Sequence, residues 1–186
     1  MYGPRFESAL AFACSQHHGQ RRKGSGAPYI THPLAVASIV GQYGGDEEQA
    51  IAALLHDVME DCGVTRAQID ARYGARVAEI VDVCTDTTER PKPRWRPRKE
   101  AHIAKVRHQP PYAKLVVAAD KMHNALCILR DRRRDGVGHR VWNRFSADRQ
   151  GVLWYYRAMS EALAEGWEHA LAAELRVTVD ALHEGD

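Results

Sequence analysis

The stretch Ala113-Lys114-Leu115-Val116-Val117-Ala118-Ala119-Asp120-Lys121-Met122-His123-Asn124-Ala125-Leu126-Cys127-Ile128-Leu129 most constrains what this chain can fold into. Opened by Gln109-Pro110-Pro111, it reads as one long helix with apolar residues over most of its surface, and such a helix is central to its fold. Asp120 lies in its middle, where an unpaired carboxylate would be expensive to bury. It therefore needs a partner, either a metal ion or an internal salt bridge with Lys121 or an arginine. Asn124 follows one turn on and faces the same way.

A second stretch, Ala53-Leu54-Leu55-His56-Asp57-Val58-Met59-Glu60-Asp61, carries the chemistry. We expect it to finish a helix that Asp46 caps, that runs to about Asp61, and that Gly63 breaks. On such a helix His56 and Glu60 stack over each other, with Asp57 and Asp61 in a parallel row. Neighbouring acids repel on a surface helix. Around a divalent cation they are useful, because imidazole and carboxylate ligate while adjacent acids handle water. The plainer alternative is a solvated acidic helix end with an incidental histidine.

The remaining chain reads as further helices. Residues 5 to 17 carry a stripe of Phe6, Leu10, Ala13 and Cys14, and residues 33 to 43 follow Thr31-His32-Pro33. Thr65 caps a helix through Tyr73, and 75 to 85, 98 to 107, 148 to 165 and 167 to 184 complete the set. Val177-Thr178-Val179 is too short to suggest a strand, and Trp154-Tyr155-Tyr156 reads as packing rather than a base-stacking platform. Two basic segments interrupt the helices. Gln20-Arg21-Arg22-Lys23-Gly24-Ser25-Gly26 is either a solvated loop or a phosphate-binding one. Residues 89 to 99 place Pro91, Pro93 and Pro97 among six cations, which forbids a regular helix there. They form either an exposed connector or the mobile edge of an anion site with Trp95 available for stacking. His32 is either a cap or a metal ligand whose backbone Pro33 fixes.

The whole chain of 186 residues is expected to be one domain, residues 1-186. Its net charge of +2 argues against bulk nucleic-acid binding. Apolar runs are short, so no membrane span is expected, and the N-terminus lacks signal architecture. Cys14, Cys62, Cys84 and Cys127 form no paired motif, which suits reduced thiols and a cytoplasmic protein.

Four motifs in order, His18-Gly19-Gln20-Arg21-Arg22-Lys23, Pro28-Tyr29-Ile30-Thr31-His32-Pro33, Leu54 to Asp61 and Ala119-Asp120-Lys121-Met122-His123-Asn124, make the chain resemble an HD-domain phosphohydrolase. It is most similar to the hydrolase domain of the RelA/SpoT homologues, standing alone as in small alarmone hydrolases. The resemblance implies an all-α helical bundle of about 8–10 helices. It implies one Mn²⁺ per chain held by His32, His56, Asp57 and Asp120, with Glu60 and Asp61 acting on the attacking water. Arg22, Lys23 and Asn124 would line the nucleotide site. Arg140 and Arg144 would serve the distal phosphates; Arg144 stands where animal members carry a tyrosine. The implied reaction removes pyrophosphate from the 3′ position of guanosine tetra- or pentaphosphate, with no synthetase or regulatory region. Other readings are an HD phosphohydrolase for NADPH or an adenine alarmone, an antitoxin-like docking module, and RNA-end processing. Oligomeric state stays open.

Overall fold

The computed structural model describes residues 2 to 184; Met1 and residues 185 to 186, the ends of the expected 1-186 domain, lie outside it. The described residues form ten α-helices and one 3₁₀ helix, and only a lone antiparallel bridge between Arg21 and Pro28 has β character. The helices are α1 (Pro4–Gln16), α2 (Thr31–Gln42), α3 (Glu47–Leu55), α4 (Val58–Cys62), α5 (Arg66–Tyr73), α6 (Ala75–Cys84), α7 (Trp95–Arg107), α8 (Pro111–Arg132), α9 (Arg149–Ala164) and α10 (Ala170–His183). The 3₁₀ helix, Gly138–Arg144, lies between α8 and α9. No described helix is long and apolar enough to cross a membrane.

Two helices organise the packing. Helix α8 touches α2, α3, α6, α9, α10 and the 3₁₀ helix, as its nearly all-round apolar surface requires. Helix α3 touches α1, α2, α6 and α8, and every residue from Gln49 to Leu55 is buried. Both capping expectations hold. Asp46 and Gln49 close a reciprocal capping box at α3, and Thr65 and Gln68 do the same at α5. Caps of this kind contribute about 1 kcal/mol each, modest beside the burial of Ile51, Leu54 and Leu55 at about 1.5–3 kcal/mol apiece.

Two local expectations need correction. The motif helix is not continuous to Asp61; it breaks at His56 and Asp57, and α4 begins afresh. The cause is local. His56 Nδ1–H donates to the carbonyl of Ala53 at 2.8 Å, the acceptor that the Asp57 amide would take in an unbroken helix. Asp57 falls to φ −102°, ψ −6°, a bridge conformation, and Gly63 then ends α4 in the left-handed region at φ +72°. The prolines of residues 89 to 99 also permit more helix than expected. Helix α7 already starts at Trp95, because Pro97 falls in the first turn, where an amide hydrogen would have no partner.

Candidate metal centre and anion cavity

The break at His56 and Asp57 matters because it turns both side chains towards α2 and α8. His32, in the first turn of α2, is 1% exposed and His56 2%. The Nε2 atoms of these histidines lie 3.1 Å apart. Asp57 Oδ2 is 3.0 Å from His56 Nε2 and 3.6 Å from His32 Nε2. Asp120 Oδ1, from the middle of α8, is 3.1 Å from His32 Nε2 and 3.7 Å from His56 Nε2. Ligands held at about 2.0–2.2 Å from one cation are themselves about 3.0–3.6 Å apart. His32, His56 and Asp57 bring their donor atoms close enough together to hold such a cation, a mixed imidazole and carboxylate set that suits a borderline to hard divalent metal, and Asp120 Oδ1 lies beside the two imidazoles.

The groups behind the donors orient them. Tyr29 donates its phenolic hydrogen to Asp57 Oδ2 at 2.6 Å, and its ring packs on His17 at 4.9 Å between centroids. Asp120 receives Asn124 Nδ2 on Oδ1 at 2.5 Å and Lys121 Nζ on Oδ2 at 2.6 Å. The sequence offered a salt bridge or a metal for Asp120. The structure supplies Lys121 on one oxygen and sets the other beside the two imidazoles.

Burial is the largest influence on each titratable group here and works against charge. For His56 it is outweighed by Asp57 and Asp120, which push the imidazole up to about 9. Burial lowers His32, with only partial compensation from Asp120. Asp57 and Asp120 are both held below the usual carboxylate range despite burial, Asp57 chiefly by His56 and Asp120 chiefly by Lys121. A cluster with two ionised carboxylates retains a cation on one imidazole. That is the charge a divalent metal would displace.

A cavity of about 1140 Å³ opens beside these donors. Arg22 and Lys23 of the glycine-containing loop line one part of it, with Asn124, Arg130 and Arg144; Lys92, Trp95, Arg98 and Lys99 line another. The Pro-rich segment is thus a wall of the cavity, which sequence alone left undecided. Glu60 and Asp61 also face it. Lys92 Nζ sits 2.7 Å from Glu60 Oε1 and 3.9 Å from Asp61 Oδ1, and Arg90 holds the Glu60 carbonyl. Burial, then the charges of Asp57 and Glu60, raise the Asp61 carboxyl above its ordinary value. Tyr155 and Tyr156 are buried at 7% and 6%, as packing residues are, yet both also contribute to the cavity wall.

Arg140 is not where sequence reasoning put it. The 3₁₀ helix buries Val141 and Trp142, which leaves Arg140 exposed and outside the cavity lining, while Arg144 turns in. Arg144 Nη1 pairs with the buried Asp131 carboxylate at 2.6 Å. Tyr29 and His123 went unassigned in the sequence, whereas Lys92 and Arg98 stood only within the either-or reading of residues 89 to 99. The only signal for Tyr29 and His123 was their place inside the His32 and Asp120 motifs.

The chain is similar to known proteins over most of its length. The profile of the HD domain matches residues 9–153. The chain is 36% identical over 161 residues to human guanosine-3′,5′-bis(diphosphate) 3′-pyrophosphohydrolase MESH1, covering 83% of this chain and 88% of that one. It is 35% identical to the mouse protein of the same name, covering 86% and 91%. Among solved structures, lmo0812 from Listeria monocytogenes EGD-e matches at a TM-score of 0.71 and 30% identity, covering 81% of this chain and 97% of that one. A metazoan orthologue of SpoT that hydrolyses ppGpp matches at a TM-score of 0.77, covering 98% and 95%; at 24% identity this likeness concerns the fold.

Proposed function

The chain belongs to the HD-domain family, and from that membership we propose that it is a metal-dependent hydrolase that removes pyrophosphate from the 3′ position of guanosine 3′,5′-bis(diphosphate) and of guanosine pentaphosphate. The observation that carries the proposal is the grouping of His32, His56 and Asp57, with Asp120 Oδ1 3.1 Å from His32 Nε2, beside a cavity rich in cationic side chains. We assign those four residues as ligands of one Mn²⁺. Residues 1-186 are read as one domain, a reading supported by the single buried cluster that runs from Ala9 to Leu182. A cytoplasmic location belongs to the same reading, supported by four cysteines that are all free.

A divalent cation bound there supplies Lewis acidity and lowers the pKa of water. The chain's own residues do the rest. Asp61, with a raised carboxyl pKa in the field of Asp57 and Glu60, takes the proton of the attacking water. Glu60, held by Lys92, orients that water. Arg22, Lys23 and Arg144 neutralise the phosphates that are not cleaved, and Asn124 fixes Arg22 against the nucleotide. Arg140 is left out of this set because it is exposed beyond the lining.

The testing experiment is a panel assay with Mn²⁺ on guanosine tetraphosphate, its adenine analogue and NADPH. Pyrophosphate release from the guanine substrate, abolished by chelator and restored by Mn²⁺, is the expected result. Phosphate release from NADPH alone, or no turnover of any member, would overturn the proposal.

A further inference from the structure

His56 has its tautomer fixed by the backbone. Its Nδ1 faces the Ala53 carbonyl, which can only accept, so Nε2 must present its lone pair inward when the ring is neutral. His32 has no such fixed partner. Its Nδ1 lies 2.7 Å from His123 Nδ1, with the two rings stacked at 4.9 Å and 27°. Two imidazole nitrogens at that distance share one hydrogen, and either ring can be the donor.

The two arrangements differ at the donor cluster. If His123 donates, the hydrogen of neutral His32 sits on Nε2 and points at Asp120 Oδ1, 3.1 Å away. That ring is closed to a cation. If His32 donates, its Nε2 lone pair faces His56, Asp57 and Asp120, and His123 carries its own hydrogen on Nε2, 3.6 Å from Cys127 Sγ. That ring is open to a cation. Each form holds two hydrogens on the pair, so the exchange needs no net proton.

We infer that His123 is a positioning residue for the metal centre: by accepting from His32 Nδ1 it selects the His32 tautomer that can ligate. It acts through His32 rather than as a ligand itself. Ligating histidines are generally oriented by such a partner, and mutating the partner typically lowers metal affinity 10–100-fold.

This inference rests on the metal reading above, and the experiment separates the two. Mn²⁺ affinity is measured by chelator competition in the wild type, in His123→Leu and in His123→Asn, whose amide oxygen can occupy the place of the Nδ1 acceptor. The expected result is a loss of about 10–100-fold in His123→Leu, with most of it recovered in His123→Asn. In parallel, ¹⁵N histidine spectra of the wild type loaded with diamagnetic Zn²⁺ should place the His32 hydrogen on Nδ1. Equal affinity in wild type and His123→Leu would overturn the inference, as would equally weak binding by the Leu and Asn variants. Should His123→Leu fail to fold, the wild-type spectrum still decides: a loaded protein with the His32 hydrogen on Nε2 overturns it. A wild type that binds neither Mn²⁺ nor Zn²⁺ overturns the metal reading itself.

Discussion

Arg22 Nη2 donates to Asn124 Oδ1 at 2.6 Å, and Asn124 Nδ2 in turn donates to Asp120 Oδ1 at 2.5 Å. The guanidinium of the loop proposed to hold substrate is thereby two hydrogen bonds from a carboxylate proposed to hold the metal. Residues joined this way should not behave additively. We predict a coupling of about 0.5–3 kcal/mol between Arg22→Ala and Asn124→Ala in a double-mutant cycle on kcat/KM. Additive effects would mean that the loop and α8 act on the substrate separately.

Removing a donor atom should remove the cation. His56→Ala and Asp57→Ala are expected to lose Mn²⁺ stoichiometry and turnover together, while circular dichroism still reports a helical protein. The folded outcome is expected because α3 buries Ile51, Leu54 and Leu55 without help from either side chain. Wild-type metal content in either variant would dismiss that residue as a ligand.

Glu60 and Asp61 should separate metal binding from chemistry. Glu60→Gln and Asp61→Asn are predicted to keep Mn²⁺ and KM, and Asp61→Asn should lower kcat by about 10²–10⁴, the usual contribution of a general base. Metal loss in either variant would make that carboxylate a ligand instead.

Gly24 carries φ +89°, and a Cβ placed on it would come within 2.1 Å of Arg144 Cζ. Gly24→Ala thus strains the backbone by about 1–3 kcal/mol and pushes the guanidinium off its seat. The loop bearing Arg22 and Lys23 should shift, raising KM while kcat stays near wild type. A KM equal to wild type would show that loop and arginine do not depend on one another.

His102 is buried on α7, with Nε2–H donating to the Val83 carbonyl at 3.0 Å. Burial, followed by the Lys121 charge, lowers its pKa to about 3. The unfolded chain titrates near its ordinary value of about 6.5, so between these limits it binds more protons than the native state. Stability from this group is complete above that window and falls as pH drops through it, by at most about 1.4 kcal/mol per pH unit. Urea midpoints of metal-free protein from pH 7 to 5 should fall less steeply in His102→Gln. Parallel slopes would exclude His102 as the source.

What the sequence disclosed was set by spacing along single helices. Asp120 in an apolar run, and His56-Asp57 beside acids, announced both a central helix and a cation site. Spacing says nothing of a side chain that competes for a backbone carbonyl, so the break made by His56 on Ala53 was invisible. Nor does it bring distant loops together. Lys92, Arg98 and Tyr29 join the cavity only through tertiary packing, and Arg140 leaves it because a 3₁₀ turn points Val141 and Trp142 inward instead.

The break between α3 and α4 also divides the site into two mechanical parts. His56 ends a helix locked into the core on all sides, whereas Glu60 and Asp61 ride on five residues, Val58–Cys62, tethered outward to Arg90 and Lys92. Asp57 joins the two parts, because it caps α4 and its carbonyl accepts from the Asp61 amide at 2.8 Å. The Pro-rich wall grips the acids from outside and the core helix grips His56 from inside, so a change in Arg90 or Lys92 reaches Glu60 and Asp61 first.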